Sequence, residues 1–361
     1  MNLLLYKSEI KYFISRILHK TPKILFFQYV LRHSMDEQFL SRVVHLDSNP
    51  NEIEIKKFGT KNPDKNIYFI EIKPSKGMGF AAHLRHTLLA LFEAERLGFV
   101  PVVLYSSQNS LYAEDEAING TKNPFEYYFR QVSDISVAEV YESSRVFLYK
   151  WPHSIRIERD LGDLNPRMTG GYIVDDAYIN KMSLVLKKYI HLNKIVQDQV
   201  FNDMQDLVHG EWDGKKILGV HIRGTDYALN WTNHPNMVGA DEFIEAIDEL
   251  LSQHDYEYIF LATDDKKRLT TLTEKYGSKL IYYKDVSRGE EALNIAMVAS
   301  DRPRHHYLNG LEVVRDMYTL ARCDSLVCGL SQVAFFARTI RLAESGSYKY
   351  LKVLDKGIYQ G

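Results

Sequence analysis

The chain has 361 residues, 45% hydrophobic and 25% charged, with a formal net charge of −2. That length exceeds one ordinary compact domain and suits two that share a cleft. The near-neutral balance argues against a nucleic-acid binder, whose domains carry a marked basic excess, so any phosphate recognition is expected to be local.

Cys323 and Cys328 are the only cysteines. Both lie in or beside an apolar stretch and are expected as buried thiols, which suits a reducing compartment. No run of about 18 apolar residues offers a membrane span, and the N-terminus lacks the apolar core of a signal peptide. A cytoplasmic protein is the expectation. Residues 1–33 interleave Leu, Ile, Phe and Tyr with Lys7, Lys11, Arg16, Lys20, Lys23 and Arg32. Such a basic amphipathic helix either packs on its own domain or lies peripherally on the inner face of an anionic membrane.

Further along, "NIYFIEI" (66–72) is a β-branched and aromatic run that reads as a strand. "KGMGF" follows, then "AAHLRHTLLALFEAERLGF" with apolar residues at helical spacing, closed by Gly98, then the strand "VPVVLY". Residues 107–175 are aromatic and polar without clean periodicity and are expected as loops and short helices. A polar helical segment over 176–213 would bridge two halves. From 216 the strands "KILGVHI", "YEYIFLAT", "KLIYY" and "DSLVCGL" alternate with helices. That alternation is the pattern of a doubly wound parallel sheet. Two α/β domains are expected, 1–205 and 206–361.

In open α/β sheets the ligand sits outside the carboxyl ends of the strands. Here those ends carry His221 and Arg223, then Thr263 and Asp264, then Ser331 and Gln332. Arg223 offers a planar fork for phosphate oxygens, and Ser331 opens a helix whose free N–H groups favour an anion. Read singly, each has an ordinary structural role: a histidine within a core strand, an ion pair between Arg223 and Asp226, helix caps at Asp264 or Asp265 and at Ser331. Their convergence on one rim favours a diphosphate site.

Gly77-x-Gly79-x-x-Ala82 fits the dinucleotide fingerprint weakly, because the next strand ends in "VVLYSSQNS" with no acid for a ribose. "RPRHHY" (302–307) lacks partners at metal-ligand spacing and is expected as a mobile loop closing over substrate.

The chain resembles the α-1,6-fucosyltransferases, the group holding the core N-glycan and nodulation-factor enzymes. "HIRGTD" is similar to the family's His-x-Arg-Arg-x-Asp motif, and "FLATDD" and "VVRDMYTLARCDSLVCGLSQVAFFA" are similar to later segments. "GFAAHLRHTLLALFEAERLGFVPVV" is similar to the family's first helix and strand. The resemblance implies a GT-B-like fold of two Rossmann-type domains facing a cleft, 1–205 on the acceptor side and 206–361 holding the nucleotide-sugar. It implies inverting, metal-independent transfer from GDP-β-L-fucose to a glycan or glycoconjugate, with no cofactor, as in polysaccharide biosynthesis. By position, Arg223 would bind the β-phosphate, His221 and Asp316 would read the guanine and ribose, and Ser331 and Gln332 would hold the diphosphate. Asp226 would orient Arg223 or the acceptor, while Gly77, Gly79, His83, Thr263 and Asp264 would line the cleft.

Two departures stand out. Gly224 replaces the motif's second arginine, and "YALNWTNHP" lacks the glutamate that serves as base in the core type. Asp226 is the first candidate for that proton, followed by His234, Asp241 and Glu242. Another GDP-sugar donor, a non-catalytic glycan-binding protein and an NAD(P)-dependent oxidoreductase are the alternatives.

Overall fold

β-Branched and aromatic runs build the first sheet around β2 (Ile67–Ile72), which is buried along almost its whole length. With β1 (Glu54–Lys56), β3 (Val100–Tyr105) and β4 (Val146–Leu148) it forms a sheet in the order β1-β4-β2-β3. β3 and β4 pair parallel to β2, and only β1 runs antiparallel. The computed structural model describes residues 54–73, 77–149, 172, 175–230, 234–290 and 295–359, without the side chains of Asp226 and Ile295. The basic segment 1–33 lies outside these residues.

α1 (Phe80–Leu97) follows Gly79 and buries Phe80, Leu84, Leu88 and Leu91. Gly98, at φ 66°, ends the helix in the left-handed conformation that spares it a Cβ clash. Residues 107–149 contain only α2 (Val137–Val140) and β4 as regular elements. They are nonetheless well packed. Phe125, Tyr127, Tyr128 and Phe129 are all buried, and Asn123 ties them to β3 through the Val103 carbonyl and the Tyr105 N–H.

The 176–213 segment forms α3 (Asp176–Tyr189) and α4 (Lys194–Leu207), each started by a side-chain cap, Asp175 and Asn193. α3 packs against α1.

The second sheet contains β5 (Ile217–Ile222), β6 (Tyr258–Thr263), β7 (Leu280–Ile281), β8 (Ser325–Gly329) and β9 (Leu351–Leu354). Its order is β7-β6-β5-β8-β9 and every neighbouring pair is parallel. Counted within this sheet the order is 3-2-1-4-5, the doubly wound topology, with the winding reversed between β5 and β8. β5 is buried at all its residues, as a central parallel strand covered on both faces must be. The covering helices are α5 (Ala240–Gln253), α6 (Lys266–Tyr276), α7 (His305–Arg322) and α8 (Gln332–Glu344). α8 packs against α3, α1 and α7, so the last helix reaches back to the helices of the first sheet.

Three details differ from the sequence reading. The "KLIYY" strand is only Leu280–Ile281, and β1, β4 and β9 are too short for periodicity to reveal. Arg302–Tyr307 is not a free loop: α7 starts at His305 with Arg304 at φ 55° before it. His306 Nδ1 donates to the Leu111 carbonyl at 3.0 Å and the Tyr307 N–H donates to Glu114 at 2.7 Å, which dock this turn on the segment after β3. Cys323 and Cys328 are buried free thiols, as expected.

Candidate active site

The carboxyl ends of both sheets open onto one cavity of about 440 Å³. β5 contributes His221 and, one residue beyond its end, Arg223; β6 contributes Thr263 and then Asp264. Ser331 and Gln332 enter from the β8–α8 junction. Gly77, Met78 and Gly79, between β2 and α1, form the facing wall with Tyr112. Gly77 sits at φ 85°, a conformation that only glycine adopts freely, with Met297 Sδ 3.5 Å from the position of a Cβ.

Arg223 and Asp264 form an ion pair, Nη1 to Oδ2, at 2.6 Å. The register explains it. Ile222 lies beside Thr263 in the parallel β5–β6 pair, so the next residues of both strands emerge side by side. Asp264 also accepts the Gly224 N–H at 3.0 Å and the Thr225 hydroxyl at 2.8 Å. Burial alone would raise its carboxyl, but Arg223, Thr225 and Gly224 hold it below the ordinary carboxylate value. Asp264 therefore orients Arg223, and it is Asp265 that caps α6, accepting the Arg268 N–H at 3.1 Å. Asp226 begins a short 3-10 turn, Asp226–Leu229, and its side chain lies outside the described residues.

Gly224 is required where it stands. A Cβ there would lie 2.4 Å from Asp265 Oδ2 and 2.7 Å from Asp265 Cβ. The guanidinium that braces this loop comes from α6: Arg268, nearly fully buried, donates Nη1–H to the Arg223 carbonyl at 3.1 Å and pairs with Asp265 at 3.4 Å. Sequence spacing gives no signal for this contact, which spans 45 residues.

His221 Nδ1 lies 3.3 Å from the Ala262 carbonyl, which can only accept, so Nδ1 carries the proton. That leaves buried Nε2 as an acceptor without a protein partner. Burial lowers the imidazole to about 4, so the ring is neutral. Ser331 caps α8, its hydroxyl accepting the Ala334 N–H at 2.9 Å. Gln332 Oε1 accepts from Arg85 at 3.5 Å, and Arg85 also donates to the Tyr178 hydroxyl at 3.0 Å. Arg85 thus ties α1, α3 and the start of α8 together behind the cavity.

On α7, Asp316 and Glu312 line another wall. Glu312 is held by Arg302 and by the Ser287 N–H at 3.1 Å. Asp316 is part-buried. Burial raises its carboxyl to about 7, with Glu312 and Asp285 adding to the rise and Arg315 and Arg288 opposing it.

Ten of the residues singled out from sequence, His221, Arg223, His234, Thr263, Asp264, Asp316, Ser331, Gln332, Gly77 and Gly79, therefore share one cavity. His83 does not reach it. It is buried on α1, edge-on to Tyr105 and Tyr112, with neither ring nitrogen hydrogen-bonded. Arg268, Arg85, Glu312 and Tyr227 were missed. Among the described residues no group of three or more His, Cys, Asp or Glu is disposed to hold a metal ion. Arg223 with its counter-ion and the start of α8 line the same cavity, an arrangement suited to an anion.

No curated protein matches the chain. Among solved structures, NodZ α-1,6-fucosyltransferase soaked with GDP-fucose is similar at TM-score 0.45 and 16% identity, over 76% of this chain and 92% of that one. The fucosyltransferase NodZ from Bradyrhizobium gives 0.44 and 16%, over 77% and 93%. POFUT1 in complex with GDP-fucose gives 0.46 and 13%, over 81% and 99%. The sequence profile described as alpha-(1,6)-fucosyltransferase N- and catalytic domains matches residues 175–356, which hold the second sheet and its whole rim. The chain belongs to the α-(1,6)-fucosyltransferase family.

Proposed function

We propose that this chain transfers fucose from GDP-β-L-fucose to a hydroxyl of a glycan or glycoconjugate, with inversion and without a metal ion. The observation that carries the reading is the pairing of Arg223, fixed by Asp264, with the start of α8 at Ser331, on either side of the β5/β8 switch point. As the sugar–phosphate bond stretches, negative charge grows on the β-phosphate. A guanidinium and helix-start N–H groups already in place stabilise that charge without reorganising. His221 Nε2 and the Asp316 carboxylate supply acceptors for the N–H and hydroxyl donors of guanine and its ribose. Ser331 and Gln332 hold the diphosphate. The buried thiols suit a reducing compartment, in keeping with a cytoplasmic enzyme.

Thermal-shift measurements with GDP, UDP, CMP and ADP, free and as their sugars, test this. A GDP-selective rise is expected, worth about 2.7 kcal/mol at a hundredfold excess over Kd. GDP-fucose turnover should survive EDTA. Equal shifts with UDP, or a strict Mn²⁺ requirement, would overturn the reading.

A further inference from the structure

Transfer to a hydroxyl releases a proton, and the family's glutamate is missing from the segment after Arg223. The described groups around the cavity that could accept it are mostly committed. Asp264 is saturated by Arg223, Thr225 and Gly224, and Glu312 by Arg302 and Ser287. His221 is weakened by burial, and Asp316 is assigned to the nucleotide. Asp241 and Glu242 do not line the cavity; both lie in the first turn of α5, where Glu242 accepts the Gly239 N–H and pairs with Lys356.

Of the base candidates named from sequence whose side chains are described, His234 is the one that lines the cavity. Its half-buried ring lines the cavity beside Tyr172, with centroids 5.7 Å apart, and Tyr172 meets Tyr227 edge-on at 6.4 Å. Tyr227 in turn donates its hydroxyl to the Leu330 carbonyl at 3.1 Å, immediately before Ser331. This aromatic wall therefore adjoins the switch point where the diphosphate is placed. Flat rings of this kind suit the C–H face of a sugar.

The backbone around His234 is also fixed from a distant part of the chain. The Tyr359 N–H donates to the His234 carbonyl at 2.8 Å, Pro235 bridges Ile358 antiparallel, and the Asn236 N–H donates to the Gly357 carbonyl at 3.0 Å. Asn236 Nδ2 adds a bond to the Lys356 carbonyl at 2.9 Å. A four-residue strip of the C-terminus thus holds this loop against the second sheet, the preorganisation a proton acceptor needs.

We propose that His234 is the general base of this enzyme, resting on the fucosyltransferase reading above. A neutral ring nitrogen of His234 takes the acceptor hydroxyl proton as that oxygen bonds to fucose C1. The C1–O bond to the β-phosphate breaks with its electron pair, leaving GDP. His234 ends as imidazolium and passes the proton to solvent after product release.

The test uses the full chain, GDP-fucose, and two nucleophiles, water and azide. Azide needs no deprotonation, so it bypasses a missing base. His234→Ala and His234→Gln are expected to lose about a hundredfold or more of GDP-fucose hydrolysis. Both should keep the wild-type GDP thermal shift and recover turnover with azide, yielding the inverted fucosyl azide. Unchanged hydrolysis in both variants would overturn the assignment. So would loss that azide does not restore, or an azide-restored loss found in Asp226→Asn instead. A wild-type chain that neither binds GDP nor turns over GDP-fucose would fail differently, by removing the fucosyltransferase reading itself.

Discussion

Arg223 and Asp264, separated by 41 positions in sequence, meet at 2.6 Å because β5 and β6 end in register. The carboxylate fixes the guanidinium and also fastens the loop that carries it, through Gly224 and Thr225. One residue therefore sets both the direction of the charge and the position of its backbone.

Removing that carboxylate should act through Arg223. Asp264→Asn keeps the shape but loses the counter-charge, and an expected fall in kcat/KM for GDP-fucose of up to about a hundredfold follows from misplacing one catalytic group. Arg223→Ala is expected to cost about a hundredfold or more in kcat. The double variant should be little worse than Arg223→Ala alone, because the two residues act as a unit. Additive losses in that cycle would show that Asp264 has an independent role.

Asp316 should trade stability for binding. Its carboxyl is raised to about 7, above the ordinary carboxylate value, so the folded state holds a proton that the unfolded chain gives up. The stabilisation this provides is full below the ordinary pKa and is lost as pH rises through about 7. Asp316→Asn should therefore melt higher than wild type at about pH 8, with the gap closing toward about pH 5. The same variant should show a smaller GDP-induced shift, since an amide cannot accept every bond that a carboxylate can. Melting curves with and without GDP across that range check both signs, and an undiminished GDP shift would remove Asp316 from the nucleotide site.

Gly224 should tolerate no side chain. Gly224→Ala places a methyl 2.4 Å from Asp265 Oδ2, and that carboxylate is fully buried and held by Arg268. An overpacking cost of about 1–3 kcal/mol is expected, read as a lower urea midpoint. An unchanged midpoint would mean that the Asp265–Arg268 pair moves aside easily.

The sequence itself carried the strand–helix alternation after 216, the residues of the rim and the caps that open its helices. These are local properties: period, turn residues and the residue next after a strand. "HIRGTD" and "GLSQV" could be placed together because a doubly wound sheet brings its carboxyl ends to one side. Tertiary structure decided the partners. Asp264 meets Arg223 because of strand register. Arg268 braces the Arg223 carbonyl from another helix, and His83 lies inside the first lobe because its face of α1 points to Tyr105 and Tyr112. The tail at 356–359 that holds the His234 loop carries no motif at all, and β1, β4 and β9 exist as strands only through their neighbours. Periodicity records what one element does along its own axis, whereas a site is made by side chains from several elements, and only packing sets those distances.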